Sequence, residues 1–109
     1  MALTRSFKET VQARVRSDPA FREALLAEGV DALLEGDLET GKALLRDFIN
    51  ATIGFDQLAS ATGAPAKSLM RMFGPSGNPN ARNLFAVLDE LQKHAGVRLR
   101  ALRVAEPAA

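Results

Sequence analysis

One nineteen-residue stretch, Phe55 to Phe73 (FDQLASATGAPAKSLMRMF), constrains the fold of this chain more than any other. It reads as helix, tight turn, helix. Leu58 and Ala59 lie in the first segment, Gly63 follows Ala59 by four residues, and Leu69 lies six further on. Ala59 is small where two helices cross closely. Gly63 can take the positive φ that reverses the chain between them. Leu69 and Met72, three apart, share a face and can pack back onto Leu58. The outward face of the second segment then begins at Ala66 and carries Lys67, Ser68, Met70 and Arg71. Those are side chains that a DNA groove accepts.

The remaining composition fits a single folded unit. A chain of 109 residues suits one domain with a modest core. With 47% apolar and 25% charged residues the balance is that of an ordinary globular protein. The chain has no cysteine, which excludes disulfides and thiol chemistry and fits a cytoplasmic setting. Neither a signal peptide nor a membrane span is legible. Without Trp or Tyr, stacking on single-stranded bases would fall to Phe alone.

The net charge of +1 hides an asymmetry. Residues 1–50 hold seven basic and nine acidic side chains, whereas residues 51–109 hold seven basic and four acidic. Between Asp56 and Asp89 there is no acid, and Lys67, Arg71 and Arg82 fall in that gap. Such a surface attracts phosphate, although a gap of this length also arises by chance.

Helical signals fill the chain on both sides of the central stretch. Leu3, Phe7, Val11 and Val15 recur every four residues and predict an amphipathic helix ending near Ser17. Asp18 and Pro19 restart the chain as N-cap and first helical residue. The second helix takes Phe21, Leu25, Leu26, Val30, Leu33 and Leu34; Gly29 weakens it and Gly36 suits its end. Asp37 caps a third helix whose buried stripe is Leu38, Leu44, Leu45, Phe48, Ile49 and Thr52, with Gly54 as its stop. Beyond the central stretch, Gly74 to Pro79 is a loop. Asn80 caps a last helix with Leu84, Phe85, Val87, Leu88 and Leu91, running to about His94 and stopped by Gly96. Residues 97–104 (VRLRALRV) alternate apolar and basic at first, which predicts a short strand or a helical extension. Glu106 to Ala109 read as a disordered tail.

From about Asp18 to Leu99 the chain resembles the HigA-like addiction-module antidote proteins, the antitoxins of type II toxin–antitoxin pairs. The features that carry the resemblance are DPAF, LLEGDLETGKALL, LASATGAPAKSLMRMF, the GNP of Gly77-Asn78-Pro79, and LFAVLDEL leading to VRL. The central stretch is also similar to the helix-turn-helix of the wider Xre/Cro repressor superfamily. The resemblance implies an all-helical DNA-binding fold, a homodimer, autorepression of its own operon, and a toxin partner, often a RelE-like ribonuclease. Two positions depart from the pattern. Pro65 stands where many relatives have a capping Ser or Thr, so the helix start can shift by a residue. Phe55 stands where the superfamily often has a phosphate-contacting Gln. Phosphate contact then falls to Asn80, Arg82 and Asn83 at the next helix N-terminus.

The expected architecture is therefore an all-α compact bundle of five to six helices in one domain, residues 1–109. It divides into N-terminal helices (1–53), a helix-turn-helix (55–73), a following helix (80–94) and a C-terminal strand or extension (97–104). The expected function is sequence-specific binding of double-stranded DNA as a homodimeric transcriptional repressor and antitoxin. Its candidate DNA contacts are Ala66, Lys67, Ser68, Met70, Arg71, Asn78, Asn80, Arg82 and Asn83. Two other readings stay open: a helix-turn-helix regulator without a toxin, and a protein-binding inhibitor that has lost DNA binding. No nucleophile–base pair is found, so no catalytic residue, metal or cofactor is expected. His94 reads as a C-terminal dipole partner, and Asp89-Glu90 and Asp31/Glu35 as solvated helix faces. The apolar residues of 97–104 would either pair with a symmetry mate or fold back along the first helix.

Overall fold

The computed structural model describes residues 5–107, with side chains described from residue 9 onwards. It holds six helices and, among the described residues, no strand: α1 (Arg5–Ser17), α2 (Pro19–Leu34), α3 (Leu38–Ala51), α4 (Phe55–Thr62), α5 (Ala66–Met72) and α6 (Ala81–Ala95). The all-helical bundle is the architecture that the periodicities predict.

Local chemistry sets most boundaries. Asp18 accepts the Phe21 N–H at 3.2 Å with Pro19 in the first turn of α2, and Asp37 accepts the Thr40 N–H at 3.2 Å at the start of α3. Thr40 holds the Asp37 carboxyl below the usual carboxylate range. Gly36 and Gly96 turn the chain at φ +83° and +73° after α2 and α6. At the α1–α2 junction Arg22 donates to the Val15 and Arg16 carbonyls at 3.2 and 3.3 Å, while Arg14 lies 4.6 Å from the Phe21 ring centroid.

One core unites all six helices. Val15 comes from α1, Leu26 from α2, Leu45, Phe48 and Ile49 from α3, Leu58 from α4, Leu69 from α5, and Val87 and Leu91 from α6. Val11 packs against this core as predicted. Leu3 and the side chain of Phe7 lie outside the described residues, as do Ala108 and Ala109 of the predicted tail. Glu106 and Pro107 are exposed and without regular structure.

Three expected core residues are exposed instead: Leu34 (70%), Leu38 (37%) and Phe85 (66%). Leu34 and Leu38 flank the α2–α3 turn, where the chain leaves the core to reverse direction. Phe85 sits one residue from half-buried Leu84 and two from buried Val87, on the outer side of α6.

Gly29 does more than weaken α2. A Cβ there would meet Leu45 Cδ2 at 2.9 Å, and one at Gly41 would meet Leu33 Cδ2 at 2.5 Å and the Gly29 carbonyl oxygen at 3.2 Å. The two glycines thus let α2 and α3 approach backbone to backbone. Replacing Gly41 by Val should overpack this crossing and destabilise the fold by about 1–3 kcal/mol. Gly36→Ala, where no atom lies within 4 Å but φ is positive, should cost about 1–2 kcal/mol from backbone strain alone. Urea unfolding measures both; a Gly41→Val protein as stable as wild type would mean the crossing can relax freely.

Candidate nucleic-acid interface

The turn that joins α4 to α5 forms through its backbone. Gly63 adopts φ +79° and its N–H donates to the Ala59 carbonyl at 2.9 Å. A Cβ on Gly63 would meet nothing within 4 Å. Positive φ, and not crowding, is thus what calls for glycine at this site, as the sequence predicts. Half-buried Ala59 packs against the core. Pro65 occupies the N-cap position of α5 in an extended conformation, offers no capping side chain, and accepts the Leu69 N–H at 3.1 Å. The helix starts at Ala66, directly after this cap position, so the expected one-residue shift of its start does not occur.

With Leu69 and Met72 buried, the geometry of a helix turns the intervening residues outward. Lys67, Ser68, Met70 and Arg71 are all exposed, and Ala66 is half-buried. Phe55 packs only, its ring centroid 6.4 Å from that of Phe73.

Asn80 caps α6, accepting the Asn83 N–H at 2.9 Å. No acid occupies the first turn of α6, so the positive end of its dipole is uncompensated. The fold brings Ser68 and Arg71 of α5 together with Asn78, Asn80 and Asn83 around an open concavity of about 270 Å³. Met72, Ser76 and Gly77 complete its wall. Lys67, Ala66 and Met70 lie outside this concavity, as does exposed Arg82 of α6. Among the described residues Lys67, Arg71 and Arg82 make no ion pair, so their charge stands uncompensated at the surface.

Sequence reasoning missed the residues behind the loop. Lys42 of α3 is 2% exposed, and its Nζ donates to the Gly74 and Gly77 carbonyls, both at 2.9 Å. Arg46, one turn along, donates to the Phe73 carbonyl at 3.1 Å. The signal was present: Lys42 falls three residues before Leu45 and seven before Ile49, on the apolar stripe of its helix.

The C-terminal arm corrects another expectation. Residues 97–104 form neither strand nor helix, and no strand among the described residues lies alongside to complete a ladder. The alternation serves packing instead. Val97 and Leu99 are half-buried against the core, while Arg98 and Arg100 are exposed. Leu99 shares one groove with Leu26 and Val30 of α2 and Leu88 of α6, so the arm folds back on α2 and α6 rather than on α1. Its N–H donates to Gln92 Oε1 at 2.8 Å, and Arg98 pairs with Asp89 at 3.0 Å. Asp89 also pairs with Lys93 at 3.1 Å, so it is an anchor for the arm and not merely a solvated charge. Further on, Leu102 and Val104 stay 85% and 76% exposed beside Leu34.

No family model matches the chain, and no curated protein or solved structure matches it either. Among the described residues no group of three or more His, Cys, Asp or Glu could hold a metal ion, and no helix is long and apolar enough to cross a membrane.

Arg98 and then Lys93 hold the Asp89 carboxyl below the usual carboxylate range. A carboxylate so lowered stabilises the fold fully above its unfolded-state pKa and loses that contribution as the pH falls through the folded value. The arm should therefore loosen under acid, below about pH 4. Asp89→Asn should reproduce the effect at neutral pH, and amide exchange at Leu99 reads both. Unchanged Leu99 protection in that variant would show that Arg98 does not hold the arm.

Proposed function

We propose that this protein binds double-stranded DNA sequence-specifically as a transcriptional repressor, and that it is the antitoxin of a toxin–antitoxin pair controlling its own operon. The carrying observation is the outward face of α5. Two cations one helical turn apart, Lys67 and Arg71, stand exposed and without ion pairs, beside a concavity lined by Ser68, Asn78, Asn80 and Asn83. The set divides by chemistry. Arg71 can donate two hydrogen bonds to a guanine edge, and Met70 can pack at the groove margin. Lys67 and Arg82 supply phosphate charge, and the asparagines with the first turn of α6 supply neutral donors to the backbone. The antitoxin part of the reading rests on the resemblance to HigA-like antidote proteins; it is cytoplasmic on that reading.

Lys67→Ala and Arg71→Ala should each weaken binding to the DNA upstream of the gene without changing the helical content. Loss of one phosphate contact should reduce the slope of log affinity against log salt by about 0.9, whereas loss of a guanine contact should cost roughly 1–3 kcal/mol at one base pair. Anisotropy titrations over a range of salt separate these. Two variants that bind as the wild type does would exclude this face as the reader.

A homodimer follows from the same reading, since one seven-residue helix spans too few base pairs for tight binding. The exposed apolar set Leu34, Phe85, Leu102 and Val104 offers a surface for a second copy, and the arm beyond Leu99, which joins no ladder, could add a symmetry-related strand. The two reading helices should then sit about 34–36 Å apart on an inverted repeat. Deleting residues 97–109 should shift the protein to monomer in sedimentation and weaken full-site binding more than half-site binding. A truncated protein that stays dimeric at micromolar concentration would move the interface elsewhere.

A further inference from the structure

Lys42 lies outside every surface considered so far, yet it is the one buried charged side chain among the described residues. We propose that Lys42 is a positioning residue for DNA reading: it locks the Gly74–Gly77 turn and so fixes the reading face of α5 relative to the asparagine cluster at the start of α6. This rests on the DNA-binding reading above.

The ammonium group is fully engaged. Its three N–H groups have three acceptors: the Gly74 and Gly77 carbonyls at 2.9 Å each and Glu39 Oε2 at 3.1 Å. The Lys42 side chain is 3% exposed and that of Glu39 69%, so Glu39 remains solvated and the loop carbonyls must replace the water that Lys42 has lost. A buried charge held in this way has one geometry, because moving either carbonyl leaves an ammonium proton without a partner.

Those two carbonyls are the ends of one turn, which the Gly77 N–H closes onto the Gly74 carbonyl at 3.0 Å. Arg46 extends the anchor to the Phe73 carbonyl at the end of α5, where a cation also suits the helix dipole. The turn also presses on the C-terminal end of the same helix. A Cβ on Gly77 would overlap the Arg71 carbonyl and meet that of Met72 at 2.7 Å. Gly77 therefore belongs to two structures. Its carbonyl binds Lys42, and its backbone walls the concavity that holds Arg71, Asn78 and Asn80. The clamp also matters electrostatically: carbonyl oxygens repel phosphate, and these two are committed to a buried ammonium group.

Lys42→Met keeps the length of the side chain and removes the charge; Lys42→Arg keeps the charge and restores part of the carbonyl binding. The wild type and both variants are titrated with the duplex upstream of the gene and with a random duplex of the same length. In Lys42→Met, affinity for the upstream duplex should fall roughly 10- to 100-fold, the effect of losing charge-assisted hydrogen bonds. Affinity for the random duplex and its salt slope should barely change, since Lys67, Arg71 and Arg82 all remain. The Gly77 amide should lose exchange protection in the free protein, and Lys42→Arg should recover part of both. A purely structural role would lower the melting temperature but leave the ratio of the two affinities unchanged below it. Should Lys42→Met fail to fold, Glu39→Gln removes one charge from the clamp at an exposed side chain and should move the ratio in the same direction by less. An unchanged ratio in the folded variants overturns this proposal alone. A wild-type protein that binds neither duplex overturns the DNA-binding reading, and this proposal with it.

Discussion

The close crossing of α2 and α3 is the constraint on which the rest of the structure depends. Gly29 and Gly41 remove the side chains that would hold the two backbones apart, and Leu33 and Leu45 fill the space so gained. Glycine inside a helix costs about 0.5–1 kcal/mol relative to alanine, so two of them must be offset by packing that only close approach allows. Close approach also fixes how α3 is turned about its axis. With Gly41 against α2, the next residue, Lys42, reaches the loop after α5, while Leu45, Phe48 and Ile49 enter the core. A single helix is thus held by its glycine on one side and holds the candidate DNA face by its cations on another.

What the sequence made legible was local chemistry. Asp18, Asp37 and Asn80 bind the backbone N–H groups three residues on, as capping residues do, and the glycines expected to end α2, α4 and α6 all have positive φ. The outward set on α5 was equally readable, because two apolar residues three apart fix which way their neighbours point. Long-range matters were not readable. Lys42 binds carbonyls 32 and 35 residues away, and no local pattern encodes that separation. Leu34, Leu38 and Phe85 match the helical period but lie where the bundle leaves them exposed, a fact of tertiary arrangement. The arm shows the same limit: its period of two was real, and it selects which side chains tuck under without any strand to pair with.

Charge is sorted by element in a way that the net value conceals. The acids of α6 are occupied: Asp89 by Lys93 and Arg98, and Glu90 by Lys93 at 3.5 Å. Glu39 is drawn to Lys42. The cations of α5 and the first turn of α6 have no such partners among the described residues. One stretch therefore carries free positive charge while the acids nearest it in sequence on the C-terminal side are already paired. An exposed ion pair contributes little to stability, so the effect of this pairing is on the field around the protein more than on its fold.

The order of α5 itself comes from its far end. Seven residues cannot sustain a helix alone, since nucleation is unfavourable and each added hydrogen bond returns little. From Pro65 its N-terminus has only the carbonyl that accepts the Leu69 N–H, with no side-chain cap. Its C-terminus is bound on several sides. Arg46 takes the Phe73 carbonyl, the Gly74 N–H donates to the Arg71 carbonyl at 3.0 Å, and the Gly77 backbone closes over that same carbonyl. Of the two cations on its face, Arg71 thus has the more constrained backbone, and Lys67 sits in the less supported first turn. On the proposed DNA-binding reading, a fixed backbone suits Arg71, whose bonds would have to be aimed, and the first turn suits Lys67, a point charge that would only need to come near.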